Sequence, residues 1–96
     1  HFLQPNQYVE GSKALTPDEQ NLAFTEDHPY REGVEIGYPV LSRAGAELRA
    51  QGVRFVDLTA VFAGESETLY VDDCCHFNEV GNRITIVKYR TAVSEE

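Results

Sequence analysis

Between Val34 and Leu58 a helically spaced apolar stretch, a glycine and a β-branched run follow one another, an order that commits the chain to mixed α/β architecture. Val34, Tyr38, Leu41, Gly45 and Leu48 recur at intervals of three, four or seven residues, which aligns them on one face of a helix. Pro39 lies within that pattern and has no amide to donate, so the main helical body is expected from Pro39 to Ala50, with Gly52 as its C-terminal cap. Val53-Arg54-Phe55-Val56-Asp57-Leu58 then reads as a strand. Helix, glycine and strand make half of a βαβ unit, whose parallel strands are normally covered on both faces. The other strand signals are His1-Phe2-Leu3-Gln4, stopped by Pro5, and Thr68-Leu69-Tyr70-Val71. These are too few for a complete, doubly covered sheet, so the missing strands are expected from elsewhere. The chain opens on His1 directly in an apolar run, and residues 1–96 are expected to be the C-terminal segment of a single domain.

Two further helices are marked by their starts. Thr16-Pro17-Asp18-Glu19 combines an N-cap, a proline at the first helical position and a capping-box glutamate, predicting a short helix to about Phe24. Asn78 is a good N-cap for a last helix from about Glu79 to Ala92, with Val80, Ile84, Val87 and Tyr89 or Thr91 near its inward face. The tail Ser94-Glu95-Glu96 is expected to fray. Asn6 through Leu15 is a polar loop long enough for an active-site rim or an edge, and Asp27-His28-Pro29 reads as a turn. Phe24, Tyr30, Tyr38, Phe55 and Phe62 are expected to pack in the core or at its edges.

A net charge of −8 with scattered Lys and Arg repels phosphate backbones, so nucleic acid is not an expected partner. No apolar run approaches the roughly 20 residues of a membrane-spanning helix, so no membrane segment is expected either. Cys74 and Cys75 are adjacent, which excludes a framework of spaced disulfides. Consecutive Cα atoms lie closer than disulfide geometry prefers, so two free, mostly buried thiols are expected.

Asp73-Cys74-Cys75-His76-Phe77-Asn78, followed by Gly81-Asn82, is where chemistry concentrates. It follows a strand-like run and precedes a helix start, which places His76 on a loop at a strand-to-helix edge. Asp73 three residues before His76 can accept from one imidazole nitrogen, fix the tautomer and leave the other nitrogen free to take a hydroxyl proton. Gly81 in a first helical turn costs roughly 1 kcal/mol against Ala, which points to a close contact there. The same pattern also describes a turn with a surface His in a non-catalytic acidic binding or structural module. Cys74, Cys75, His76 and Asp73 carry zinc-binding atoms, but adjacent residues rarely converge on one tetrahedral centre and the usual ligand spacing is missing, so no metal is expected.

The run from Tyr70 to Asn82, with Asp-x-x-His followed by Asn-x-x-Gly, resembles the C-terminal block of the SGNH (GDSL-type) hydrolase family. Asp57-Leu58-Thr59 with Phe62, and Phe2-Leu3-Gln4-Pro5-Asn6, resemble segments of its esterase-like branch. The resemblance implies the C-terminal part of a flavodoxin-like three-layer α/β/α hydrolase, with an incomplete sheet in this chain. It further implies carboxylic ester hydrolysis by a Ser-His-Asp triad without a cofactor, with His76 as general base and Asp73 as its orienting acid. Asn78 and Gly81 would support His76, Gln4 and Asn6 could form a substrate rim, and Asp72 would be structural. The family's Gly-Asp-Ser nucleophile block and its Gly and Asn oxyanion blocks are not recognisable here. Ser12, Ser42, Ser66 and Ser94 lack the glycine setting of such a nucleophile. The expected partners are therefore a small-molecule ester and the missing N-terminal part of the domain, or a complementing chain. Residues 1–96 alone are expected to be inactive.

Overall fold

The computed structural model describes residues 1–94 and pairs β1 (Phe2–Leu3) in parallel with β2 (Val56–Asp57), in the register Phe2 to Val56 and Leu3 to Asp57. The Val56 and Leu58 amides donate to the carbonyls of His1 and Leu3, each at 3.0 Å. The ladder is shorter than the Val53–Leu58 run because its partner strand gives way to a loop at Pro5. Three helices complete the mixed α/β chain: α1 (Pro17–Leu22), α2 (Pro29–Ala50) and α3 (Glu79–Ser94). Ser94 thus ends α3, while Glu95 and Glu96 lie outside the described residues.

Strand alternation distributes the helices over the small sheet. The Phe2 ring sits 5.2 Å from that of Tyr89 on α3, whereas Asp57 accepts a hydrogen bond from Ser42 of α2 at 2.8 Å. Phe55, two residues before Asp57 and so on the same face, lies against Gly45 of α2. A Cβ at Gly45 would clash with one edge of the Phe55 ring, whereas Gly33 and Gly37 face open space. Gly45→Ala should therefore destabilise the chain by about 1–3 kcal/mol. The Gly33→Ala and Gly37→Ala variants should instead gain up to about 1 kcal/mol. Urea unfolding midpoints at constant slope would read all three.

α1 is built as its sequence prescribes. Thr16 Oγ1 accepts from the Glu19 amide, the Glu19 carboxylate accepts from the Thr16 amide, and Pro17 opens the helix. α2 differs from expectation: it starts at Pro29, ten residues before Pro39. His28 caps it, with Nδ1 accepting from the Tyr30 amide at 3.1 Å, and Pro29 takes the first helical position where no amide is needed. Pro39 removes one internal hydrogen bond without ending the helix. Gly52, at φ +90°, follows the helix end as predicted.

The core gathers Ala23, Phe62, Leu69 and Tyr70, with Leu15, Val61, Phe77, Val80 and Ile84 packed against it. The rings of Phe62, Tyr70 and Phe77 meet edge to face at 5.3–6.2 Å. α3 turns Val80, Gly81, Ile84 and Thr85 inward, while Val87, expected there, is exposed. Tyr30, expected to pack, is also exposed.

The polar loop after β1 is not a solvated rim. Asn6, Gln7, Tyr8, Ser12 and Lys13 are buried, and their side-chain donors find acceptors inside the protein, although Gln7 Oε1 is left without a partner. Lys13 and Glu19 form an ion pair at 2.6 Å with both side chains fully buried. Glu19 also accepts from the amides of Leu69 and Tyr70, tying the start of α1 to the run that leads into the His76 loop.

Candidate active site

The loop carrying His76 is closed at its base and packed from below. Tyr70 and Phe77 form an antiparallel bridge, the Val71 amide donates to the His76 carbonyl at 3.1 Å, and the Asn78 amide donates to the Leu69 carbonyl at 2.7 Å. Tyr70 and Phe77 direct their rings into the core, so the loop stands on its aromatic cluster. Asn78 begins α3 as predicted: its Oδ1 accepts from the Gly81 amide at 2.9 Å and its Nδ2 donates to the Thr68 carbonyl at 2.8 Å. Gly81 has the close contact its sequence position implied, since a Cβ there would stand 2.9 Å from Phe77 Cβ.

Asp72 occupies the middle of the loop. Its Oδ1 accepts from the amides of Cys74, Cys75 and His76 at 3.0–3.2 Å, and its Oδ2 lies 2.5 Å from His76 Nδ1. Burial by itself would raise the Asp72 pKa. The bonds from the Cys75 amide, the His76 ring and amide, and the Cys74 amide outweigh it and hold the carboxyl well below the usual carboxylate range. An ionised carboxylate facing Nδ1 places the proton on that nitrogen and leaves Nε2 with its lone pair. The His76 side chain is 72% exposed, so that edge is open to an incoming group.

The expected pairing of Asp73 with His76 is not the one the structure makes. Asp73 turns the other way, with Oδ1 3.6 Å from His28 Nε2 and Oδ2 accepting from Thr25 Oγ1 at 3.4 Å. Nδ1 of His28 already accepts the Tyr30 amide, so its proton resides on Nε2, toward Asp73. The reason is local geometry: an aspartate collects the amides two, three and four residues ahead of it in a tight turn, and from position 72 those include His76 itself. Adjacent carboxylates then diverge, each toward a different imidazole.

Four consecutive carbonyls of this loop each accept a side-chain donor from the segment that leaves β1. Gln7 Nε2 donates to Asp72 O at 2.8 Å and Tyr8 Oη to Asp73 O at 2.5 Å. Asn6 Nδ2 donates to Cys74 O at 3.3 Å and Gln4 Nε2 to Cys75 O at 3.4 Å. Gln4 and Asn6, read from sequence as a substrate rim, thus grip the loop itself. Gln7 and Tyr8 carried no sequence signal for this role beyond lying just after a strand.

Cys74 and Cys75, expected as free buried thiols, are joined to each other and only half-buried. Their Cα atoms are 3.7 Å apart, and the turn around Asp72 brings both side chains within bonding reach. Among the described residues, no three His, Cys, Asp or Glu side chains converge as a metal ion requires. The Ser12 and Ser42 hydroxyls donate to Asn6 O and Asp57 Oδ2 rather than to His76. Among the described residues no helix is long and apolar enough to cross a membrane. No family model, curated protein or solved structure matches this chain.

Proposed function

We propose that this chain is the C-terminal part of an SGNH-type ester hydrolase and supplies the base of its Ser-His-Asp triad, with Asp72 rather than Asp73 as the orienting acid. One observation carries this reading: an ionised carboxylate, fixed by three backbone amides, faces Nδ1 of an imidazole whose other edge is open. The flavodoxin-like three-layer fold implied by the family is supported by a parallel strand pair touched by α2 on one face and α3 on the other. The position of the loop adds support, since the segment leaving the carboxyl end of β1 grips it, and open parallel sheets bind ligands at that end of their strands.

In this mechanism His76 Nε2 takes the proton of a serine contributed by the N-terminal part of the domain as the serine oxygen attacks the ester carbonyl. Asp72 stabilises the imidazolium that forms. The proton then passes to the leaving alcohol, and water activated by the same nitrogen releases the acid. Oxyanion donors come with the serine from outside this chain.

The protein expressed from the longest reading frame containing this sequence should hydrolyse a p-nitrophenyl ester. It should also be labelled stoichiometrically by a serine-directed fluorophosphonate, and residues 1–96 alone should do neither. Absence of both turnover and labelling in that longer protein would leave the acidic, non-catalytic module as the reading.

A further inference from the structure

We propose that the bond between Cys74 and Cys75 is a positioning element for the Asp72–His76 pair, so that a dithiol reductant switches the base to a less competent arrangement. This rests on the reading of His76 as a base. Two of the three residues between Asp72 and His76 belong to the small ring that the bond closes through their shared peptide. The Cys74 and Cys75 amides are two of the three donors that fix Asp72 Oδ1, and the Cys74 and Cys75 carbonyls are the acceptors for Asn6 and Gln4. The ring therefore restrains both the donors that hold the acid and the acceptors that hold the loop. Opening it returns rotational freedom to a segment whose side-chain and backbone torsions are otherwise restricted, and the cost of ordering that segment then falls on the hydrogen bonds alone.

The bond is open to attack. Cys74 borders a surface groove of about 380 Å³ together with Asn6, Tyr30, Gly33, Gly37 and Leu41. A thiolate of the reductant attacks one cysteine sulfur and forms a mixed disulfide, releasing the other cysteine as a thiolate that takes a proton. The second thiol of the reductant then displaces the remaining cysteine. The reductant leaves as its own disulfide, oxidised by two electrons, and Cys74 and Cys75 are left as two thiols.

Reduction of the complete protein with dithiothreitol should lower kcat for ester hydrolysis by about tenfold to a hundredfold. KM should change little, and reoxidation should restore the rate. The Cys74→Ser, Cys75→Ser double variant should remain at the reduced level and ignore the reductant. In the 96-residue chain, hydrogen exchange at the amides of Cys74, Cys75 and His76 should accelerate on reduction. Equal kcat in the two redox states, or two free thiols in unreduced protein, would overturn the proposal. If the complete protein turns over no ester in either state, the functional reading fails; unchanged amide exchange in the 96-residue chain would then defeat the positioning role on its own.

Discussion

In the complete protein, Asp72→Asn should lower ester turnover by about four orders of magnitude, whereas Asp73→Asn should lower it by less than about tenfold. The asparagine amide group can still accept backbone amides through its oxygen, so the loop keeps its shape. What it then presents to His76 Nδ1 is an N–H donor, which forces that nitrogen to accept and moves the ring proton to Nε2. A base whose working nitrogen already holds a proton cannot take one from serine. Asp73→Asn disturbs only the approach to His28 and Thr25, on the far side of the loop. His76→Ala sets the scale, with an expected loss of about six orders of magnitude. Single-turnover acylation rates with a p-nitrophenyl ester would rank the three variants. A large loss at Asp73 beside a mild one at Asp72 would return the orienting role to the residue that the Asp-x-x-His spacing designates.

Glu19→Gln should destabilise the chain by about 3–5 kcal/mol, the usual cost of stripping the partner from a buried charge. Lys13 would be left fully buried opposite a neutral group, and the amides of Leu69 and Tyr70 would lose a charged acceptor. A small domain holds only roughly 0.05–0.15 kcal/mol per residue in reserve, so this loss takes a large share of the total and should lower the urea midpoint markedly. Glu35→Gln breaks a half-exposed pair with Arg31 and should cost less than about 1 kcal/mol. The wild-type value has a pH signature. Burial would raise the Glu19 pKa, but the Lys13 ammonium and the amides of Thr16, Tyr70 and Leu69 bring it below the ordinary range. A carboxylate depressed on folding contributes its stability above the unfolded value of about 4.3 and loses it as pH falls through the lower folded value. The gap between wild type and Glu19→Gln should therefore narrow in acid. Urea titrations at neutral pH and below pH 4 test both parts, and a gap of under about 1 kcal/mol at neutral pH would remove Glu19 from its structural role.

Features whose partners lie within one helical turn were readable from the sequence. The Thr16 to Glu19 box, the Asn78 cap and the tight contact at Gly81 each depend on residues three or four apart. The start of α2 was not readable in the same way, because Pro29 and Pro39 both fit a first helical turn and only His28 Nδ1, an unusual capping atom, separates them. The burial of Asn6, Gln7 and Tyr8 was hidden too, since their side-chain donors find acceptors 16 to 68 residues away. Residue types directed attention to the loop on which a carboxylate does face His76. They did not reveal which of two neighbouring aspartates faces His76, because that is set by how the backbone turns between positions 72 and 76.

The grip on the four loop carbonyls has a consequence for how the protein responds to its surroundings. Gln4, Asn6, Gln7 and Tyr8 are all uncharged donors, and the acceptors are main-chain oxygens. Burial pushes the Tyr8 phenol above its ordinary range, against the lowering effect of the Thr25 amide it accepts, so it remains a donor in mild alkali. The clamp is thus indifferent to acidity and to ionic strength, and the ionisable side chains belong to the loop it holds rather than to the clamp itself. The anchors of the loop carbonyls are electrically neutral, so a change of medium does not loosen their hold on the imidazole's address.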